Sequence, residues 1–271
     1  MSGGREQQAP AVEVRRLSRR YGDLLALDRL DLTIAHGELF GLLGSNGAGK
    51  TTTLKILTTL LPPSAGAAMV AGFDVVRASR EVRRRIGYVP QLVSADAMLT
   101  GRENLVLSAK LHRVGRAERE ARIAEALQLM DLVSVAGTLV RNYSGGMIRR
   151  LEIAQAMMHR PQVLFLDEPT VGLDPVARRI VWERLRELRA QFGTGILLTT
   201  HDMEEADILC SRLAILHRGR VTAQGTPAEL KARAGNGATL DDVFIQATGA
   251  AIERGGYRDA ARTRRTAQRL G

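Results

Sequence analysis

Among its 271 residues the sequence carries one cysteine, Cys210. A lone cysteine excludes an internal disulfide and a cysteine-based zinc site, and leaves the expectation of a single reduced thiol. The five histidines fall at no metal-ligand spacing such as H-x-x-x-H. Aromatic residues are scarce at 4%, which argues against a stacking platform for single-stranded nucleic acid. Long apolar runs are missing as well. None approaches the ~18 residues of a membrane span, and the longest, such as Val163–Leu166, are strand-sized. The opening MSGGREQQAP lacks the basic-then-apolar layout of a secretory signal. The expectation is a chain that does not itself cross a membrane and stays in the cytosol.

The charge is lopsided. Lys+Arg at 39 against Asp+Glu at 29 leaves a net charge of +10. Such an excess fits nucleic acid, an anionic membrane face or an arginine-rich coding bias. Lysine occurs only at Lys50, Lys55, Lys110 and Lys231, with arginine in the other basic positions. That skew reads as coding bias more than as a designed patch.

What is present is material for a core: 45% of the residues are hydrophobic, enough for one large domain or two modest ones. Residues 1–10 read as a disordered lead-in. Strand-like alternation runs from Val12 to Leu43, with Leu30, Leu32 and Ile34 on one face and a turn at His36-Gly37. A helix carrying Leu54, Ile56, Leu57 and Leu60 is expected after Gly49, ended by Pro62-Pro63. From about Leu92 to Arg160 the pattern is mostly helical. Thr100 and Glu103 form a capping box, and Ile123, Leu127 and Met130 share a face. Strands are expected at Val163–Leu166 and Ile196–Thr200, flanking an amphipathic helix with Val176, Ile180, Val181, Leu185, Leu188 and Phe192. A hairpin around Arg218-Gly219 and a capped helix at Thr226-Pro227-Ala228-Glu229 complete the pattern. Alternating strands and helices with a helical insertion imply an α/β fold on a largely parallel sheet.

Two segments carry phosphate chemistry. Gly44-Ser45-Asn46-Gly47-Ala48-Gly49-Lys50-Thr51 fits the P-loop pattern G-x-x-x-x-G-K-[ST], followed by Thr52. Its glycines let backbone N–H groups converge on phosphate oxygens, and the helix from Lys50 adds the positive end of its dipole. Lys50 is expected at the β/γ-phosphates of ATP or GTP and the Thr51 hydroxyl on Mg²⁺. The run Val163–Leu166 places Asp167 at the C-terminal end of a buried strand, where ligands gather in open α/β sheets, and Asp167 is expected to serve Mg²⁺. Glu168 follows, positioned to orient or deprotonate an attacking water.

A third segment needs separate explanation. Tyr143-Ser144-Gly145-Gly146-Met147 opens a helix and forms a second anion-binding terminus. One nucleotide needs one cradle, and here are two. With these motifs in this order, the chain from about Val12 to Gly249 resembles the nucleotide-binding subunit of an ABC transporter. The resemblance implies a P-loop ABC ATPase core with an antiparallel β subdomain and an inserted α-helical subdomain at about 92–160, the whole domain spanning 11–249. It implies that Tyr21 stacks on adenine and that Gln91, in Tyr88-Val89-Pro90-Gln91, senses Mg²⁺ and meets a membrane subunit. Tyr143–Met147 matches the signature motif, usually written LSGGQ. Val171-Gly172-Leu173-Asp174 matches a loop that crosses a dimer interface, and His201 matches the switch histidine at the γ-phosphate. In that family two subunits close head to tail on two ATP molecules, each signature serving the partner's nucleotide.

The signature departs from the general pattern, with Tyr143 in place of leucine and Met147 in place of glutamine. The Tyr-Ser-Gly-Gly-Met form, the Arg149-Arg150-Leu151-Glu152 run and the segment Leu240-Asp241-Asp242-Val243-Phe244 look like the drug-export branch typified by daunorubicin-resistance ATPases. The resemblance therefore implies an ATP-hydrolysing, membrane-peripheral motor that homodimerises on ATP and pairs with a separate transmembrane permease at the cytoplasmic face. An importer subunit, or a soluble ATPase of this type acting on nucleic acid or ribosomes, are the alternatives. One cassette without sustained heptads argues against the last. Beyond Gly249, in residues 250–271, Arg254, Arg258, Arg262, Arg264, Arg265 and Arg269 form a basic tail that reads either as a solvated end or as a contact for anionic lipid.

Overall fold

A computed structural model describes residues 9–249. Most of the lead-in and the whole basic tail lie outside the described residues. In chain order the elements are β1 (Val12–Tyr21), β2 (Leu24–Ile34), β3 (Leu39–Leu43), α1 (Lys50–Leu57), β4 (Ala65–Val70), β5 (Phe73–Asp74), α2 (Ser79–Arg83) and β6 (Ile86–Val89). Three longer helices follow: α3 (Gly101–Leu111), α4 (Arg116–Leu129) and α5 (Gly145–Met157). Then come β7 (Val163–Asp167), α6 (Pro175–Phe192), β8 (Gly195–Thr200), α7 (Met203–Leu209), β9 (Arg212–His217), β10 (Arg220–Gly225), α8 (Pro227–Ala234) and α9 (Leu240–Thr248).

The strands make two sheets. One is six-stranded in the order β10-β9-β3-β8-β7-β6, parallel except for the terminal β9–β10 hairpin. The other is four-stranded and antiparallel, in the order β2-β1-β4-β5. The central strands of the parallel sheet are buried on both faces, which is why they read as continuous apolar runs. Their side chains divide by parity. Leu39, Leu43, Leu164, Leu166, Ile196, Leu198, Leu213 and Ile215 face a core shared with α5, α6 and α7. Phe40, Leu42, Phe165, Leu197, Ala214 and Leu216 face a second core shared with α1 and the antiparallel sheet. Truncating a ring such as Phe165 there costs about 3–5 kcal/mol, because both transfer energy and packing are lost.

The capping boxes at Thr100/Glu103 and Thr226/Glu229 form as expected from sequence, and the β9–β10 turn carries Arg218 and Gly219 at φ 47° and 78°. Two expectations are corrected, and three strands stand where the sequence pattern shows none. Helix α1 stops at Leu57, not at Pro62-Pro63: Thr58 caps it and Thr59 turns left-handed at φ 65°. Leu60 is accordingly off the helix and 61% exposed. Val176 is not on the apolar stripe of α6, since it lies in the first turn and is exposed; Trp182 fills the stripe instead. Finally β4, β5 and β6 were not foreseen as strands. The first reads AGAAMV, and alanine and glycine have low strand propensity. Cys210 is buried and free, its thiol pushed up chiefly by burial.

Candidate functional site

The site forms where β3, β7 and β8 end. These strands are adjacent and parallel, so their C-terminal ends bring three loops together. The loop after β3 is held in place at both ends. Gly44 N donates to the Thr200 carbonyl at 3.1 Å, and a Cβ on Gly44 would meet the Leu216 carbonyl at 2.6 Å. Gly49 caps α1 at φ 112°, where a Cβ would strike Leu27 and the Ala26 carbonyl. Both positions therefore admit only glycine. Ala48 is buried in the core below, and its carbonyl accepts from Gly219 N.

Lys50 is 4% exposed. Its Nζ donates to the carbonyls of Gly44 (2.7 Å) and Ser45 (3.2 Å) and pairs with Glu168 Oε1 at 3.1 Å. Across the loop, Asp167 Oδ1 accepts from Thr51 Oγ1 at 3.2 Å and from Thr199 Oγ1 at 2.7 Å. The second bond follows from register, because Asp167 on β7 lies opposite Thr199 on β8. The charge of Asp167, after burial itself, also pushes the Tyr88 phenol up to about 12.

Glu168 stands just beyond the strand with φ 48°, unusual for a residue with a side chain. Backbone strain of this kind costs roughly 1–3 kcal/mol and persists where surrounding bonds enforce it. Here Glu168 N donates to both Thr199 Oγ1 and the Thr199 carbonyl. The result aims the carboxylate back between Lys50 and His201, whose Nδ1 is 3.2 Å from Glu168 Oε2.

These groups open onto a cleft of about 390 Å³ lined by Tyr21, Ser45, Asn46, Gly47, Lys50, Thr51, Thr52, Gln91 and Glu168, among others. Tyr21 is 42% exposed at its rim, with the Arg19 guanidinium 4.7 Å from the ring centre. The structure thus brings the P-loop residues, Tyr21, Gln91 and Glu168 around one space. Asp167 lies behind Thr51, and His201, half exposed, stands beside Glu168 without lining the cleft.

The segment Tyr143–Met147 does not line that cleft. Ser144 caps α5, accepting from Met147 N at 3.3 Å, while Ser144 N meets Met147 Sδ at 3.5 Å. Met147 thus takes the reciprocal place in the capping box that a glutamine or glutamate side chain ordinarily fills. Tyr143 points inward and donates its hydroxyl to the Val135 carbonyl at 2.8 Å. Only Ser144, Gly145 and the first amides of α5 remain at the surface as a candidate anion contact. The loop Val171–Asp174 lies against them. A Cβ on Gly146 would meet Ala177 at 2.8 Å, and one on Gly145 would meet Leu173. Asp174 caps α6, accepting from the amides of Val176 and Ala177.

Sequence reading missed the groups that support these loops. Thr199, mentioned only as part of the strand before His201, anchors both Asp167 and Glu168. Glu205, 1% exposed, accepts from Thr170 Oγ1 at 2.7 Å and Trp182 Nε1 at 2.9 Å, and burial pushes its carboxyl up. A buried Trp on a stripe beside an acidic residue is a signal only once the fold is known.

The oxygen donors at the cleft suit a magnesium ion. Thr51 Oγ1 and Asp167 Oδ1 already sit 3.2 Å apart, and Gln91 lines the same space. No group of three or more His, Cys, Asp or Glu side chains fit to hold a metal occurs among the described residues. Magnesium bound through one or two protein oxygens plus substrate phosphates needs no such cage.

Comparison with known proteins gives a consistent answer. The model of the ABC transporter family matches residues 27–171. The daunorubicin resistance ATP-binding protein DrrA3 of Streptomyces coeruleorubidus is 48% identical over 244 residues, covering 89% of this chain and 77% of that protein. The Nod factor export ATP-binding protein I of Paraburkholderia xenovorans (strain LB400) is 45% identical over 220 residues, covering 81% and 72%. Among solved structures, an ATP-binding subunit of an ABC transporter superposes with a TM-score of 0.78 at 33% identity, covering 88% of this chain and 99% of that one. The dimeric post-hydrolysis state of the cassette MJ0796, bound to ADP and Pi, superposes with a TM-score of 0.71 at 27% identity, covering 79% and 98%.

Proposed function

Since the chain belongs to the ABC transporter family and carries its ATPase fold, we propose that it is the ATP-hydrolysing motor of an exporter, working with a separate transmembrane permease to move a drug-like or lipophilic molecule. In this reading the subunit sits peripherally at the cytoplasmic face of the membrane. Among the described residues no helix is long and apolar enough to cross a membrane; in this reading the permease supplies the translocation path. Relatives named for daunorubicin resistance and Nod factor export support the exporter reading.

The observation that carries the proposal is the convergence of Lys50, Thr51, Asp167, Glu168 and His201 at the C-terminal ends of the central parallel strands, beside a cleft rimmed by Tyr21. In the proposed mechanism the ring of Tyr21 stacks on the adenine, while the amides of 45–52 and the ammonium of Lys50 hold the β- and γ-phosphates. Thr51, Asp167 and Gln91 would hold Mg²⁺, which when bound neutralises phosphate charge. Glu168 accepts the proton of the water that attacks the γ-phosphorus as the bond to ADP breaks. His201, beside Glu168, contacts the γ-phosphate. Ser144, Gly145 and the start of α5 would meet the nucleotide of a second copy, and Val171–Asp174 would lie along that interface. Donors closing on a γ-phosphate stabilise the closed pair only while that phosphate remains, so hydrolysis becomes a release signal. The proposed domain spans 11–249, with 92–160 as the inserted helical subdomain and 250–271 as a tail.

The test is purification of the full chain from its native membranes. A polytopic membrane protein should co-purify in stoichiometric amount, and ATP should convert free subunits to dimers in the Glu168→Gln variant. Recovery without a membrane partner, together with salt-sensitive binding to DNA or RNA, would replace this reading with the nucleic-acid one.

A further inference from the structure

Away from the nucleotide cleft, Arg149 and Glu152 stand three residues apart on α5 and form an ion pair, Nη1 to Oε2, of 3.1 Å. Both are nearly withdrawn from water, at 6% and 3% exposure. Helix stability does not account for them, because an exposed pair of this spacing would serve without the desolvation cost. Apart from this pair, their hydrogen bonds all go to one segment of chain. Arg149 Nη1 donates to the Pro90 carbonyl at 2.8 Å, and Nη2 to the Gln91 carbonyl at 3.2 Å. Glu152 Oε1 accepts from the backbone N–H of Ser94 and, at 2.9 Å, from its hydroxyl.

Residues 90–94 belong to no helix or strand. They leave the edge strand β6 and pass the nucleotide cleft, which Gln91 lines. A segment without ladder bonds is held only by what its surroundings supply. Here α5 supplies a guanidinium fork to the carbonyls of Pro90 and Gln91 and a carboxylate to Ser94. The same helix starts at Ser144, less than two turns before Arg149.

We propose that the Arg149–Glu152 pair is a positioning device for Gln91. It sets how the Gln91 amide reaches the nucleotide cleft and ties that reach to the placement of α5. The proposal rests on the functional reading above for the role of Gln91, and deepens it. A displacement of the Ser144 turn, as it meets a second copy's nucleotide, passes along a rigid helix to a residue at the chain's own nucleotide. The two anion sites of one subunit are thereby linked through two side chains.

Arg149→Lys is the informative variant. It keeps the charge and most of the stem, but a single ammonium cannot reproduce a planar fork spanning two carbonyls. Amide hydrogen exchange of the full chain should rise at Ser94, whose N–H Glu152 holds, while the middle of α5 stays protected. ATP affinity by calorimetry should stay within about twofold, turnover at saturating ATP should fall about tenfold or more, and the Mg²⁺ concentration for half-maximal turnover should rise. In a Gln91→Ala background, the same substitution should add nothing further, because the pair acts through that residue. Unchanged exchange at Ser94, unchanged turnover, or an equal loss of turnover without Gln91 would each overturn the proposal. If Arg149→Lys does not fold, Glu152→Gln, which keeps the acceptor for Ser94 and removes the charge that orients Arg149, should give the same turnover and Mg²⁺ readings. Failure of the functional reading looks different: the wild-type chain itself would not hydrolyse ATP, whereas the exchange result at Ser94 would stand.

Discussion

Lys50 Nζ lies 3.1 Å from Glu168 Oε1, with both side chains under 10% exposed. The cation expected at the phosphates and the carboxylate expected to take a proton from water are thus partners of each other. Phosphate oxygens entering the loop compete for the same ammonium. Nucleotide binding should therefore release Glu168 toward the water it is proposed to activate.

Glu168→Gln removes basicity and keeps shape. Turnover should fall by about 10² or more, while ATP binding persists and the dimer accumulates. Steady-state hydrolysis and size-exclusion chromatography with ATP measure both. A variant that hydrolyses normally, or stays monomeric with ATP and permease present, would remove Glu168 from its role.

Lys50→Ala should weaken ATP binding severely and also leave Glu168 buried with only His201 beside it. Breaking a buried pair on one side costs about 3–5 kcal/mol. The double variant Lys50→Ala/Glu168→Gln should melt higher than Lys50→Ala alone, yet bind ATP no better. Equal melting temperatures would mean that the ion pair is not what Lys50 stabilises.

Much of this site can be read from local sequence, because its main parts are contiguous. Gly44–Thr52 is a loop between a buried strand and a helix, and Asp167-Glu168 ends an apolar run. The supporting bonds are not contiguous. Thr199 reaches Asp167 through strand register across 32 residues, and Arg149 reaches Gln91 across 58. Neither threonine beside a strand end nor an arginine in a helix carries a local mark of that use. In the fold, the misplaced end of α1 has a similar cause. Pro62-Pro63 is a strong stop, but Thr59 had already turned the chain by adopting φ 65°, which no propensity for threonine predicts. The strand AGAAMV was missed because its pairing with β1, and not its composition, holds it.

Glu205 ties Thr170, just before the Val171–Asp174 loop, to Trp182 on α6. Glu205→Ala leaves a buried hydroxyl and a buried indole N–H without their acceptor, and should cost about 2–4 kcal/mol. Glu205→Gln keeps one acceptor oxygen and should cost less than half as much. Urea unfolding of the three proteins measures the difference, and similar costs for both variants would show that the carboxylate oxygen is not the tie.

Gly101 opens α3 directly under the Tyr143 hydroxyl, where a Cβ would lie 2.2 Å from Oη. Gly101→Ala should destabilise by about 1–3 kcal/mol through overpacking. Tyr143→Phe removes the offending oxygen and also a bond to Val135, so alone it costs about 1 kcal/mol. Combined, the two should cost less than their sum, because the 2.2 Å contact is gone and the nearest ring atom, Cζ, lies at 3.1 Å. Strict additivity in thermal melts would place the strain elsewhere.

His159 and His112 stack face to face, with centroids 3.9 Å apart and planes 2° from parallel. His159 Nε2 lies 2.9 Å from the Ile86 carbonyl, and Nδ1 is buried without a partner. Burial first, then the neighbouring His112, lowers the His159 pKa from 6.5 to about 4; burial lowers that of His112 as well. Arg80, Arg83, Arg84, Arg113 and Arg122 line the adjoining clefts, opposed by Glu118 and Glu152. The unfolded chain takes up these protons near pH 6.5, and the folded chain resists until about pH 4 for His159. The unfolded state therefore binds more protons in that window. Stability is at its full value above about pH 6.5 and falls as pH drops toward 4, by about 3 kcal/mol from His159. Carboxylates titrate in the same range, but they are common to wild type and a His159→Gln variant and cancel in the comparison. Urea unfolding at pH 7.5 and pH 5 should show a smaller acid loss in the variant. Equal losses in the two proteins would mean that the stacked pair is already charged in the fold.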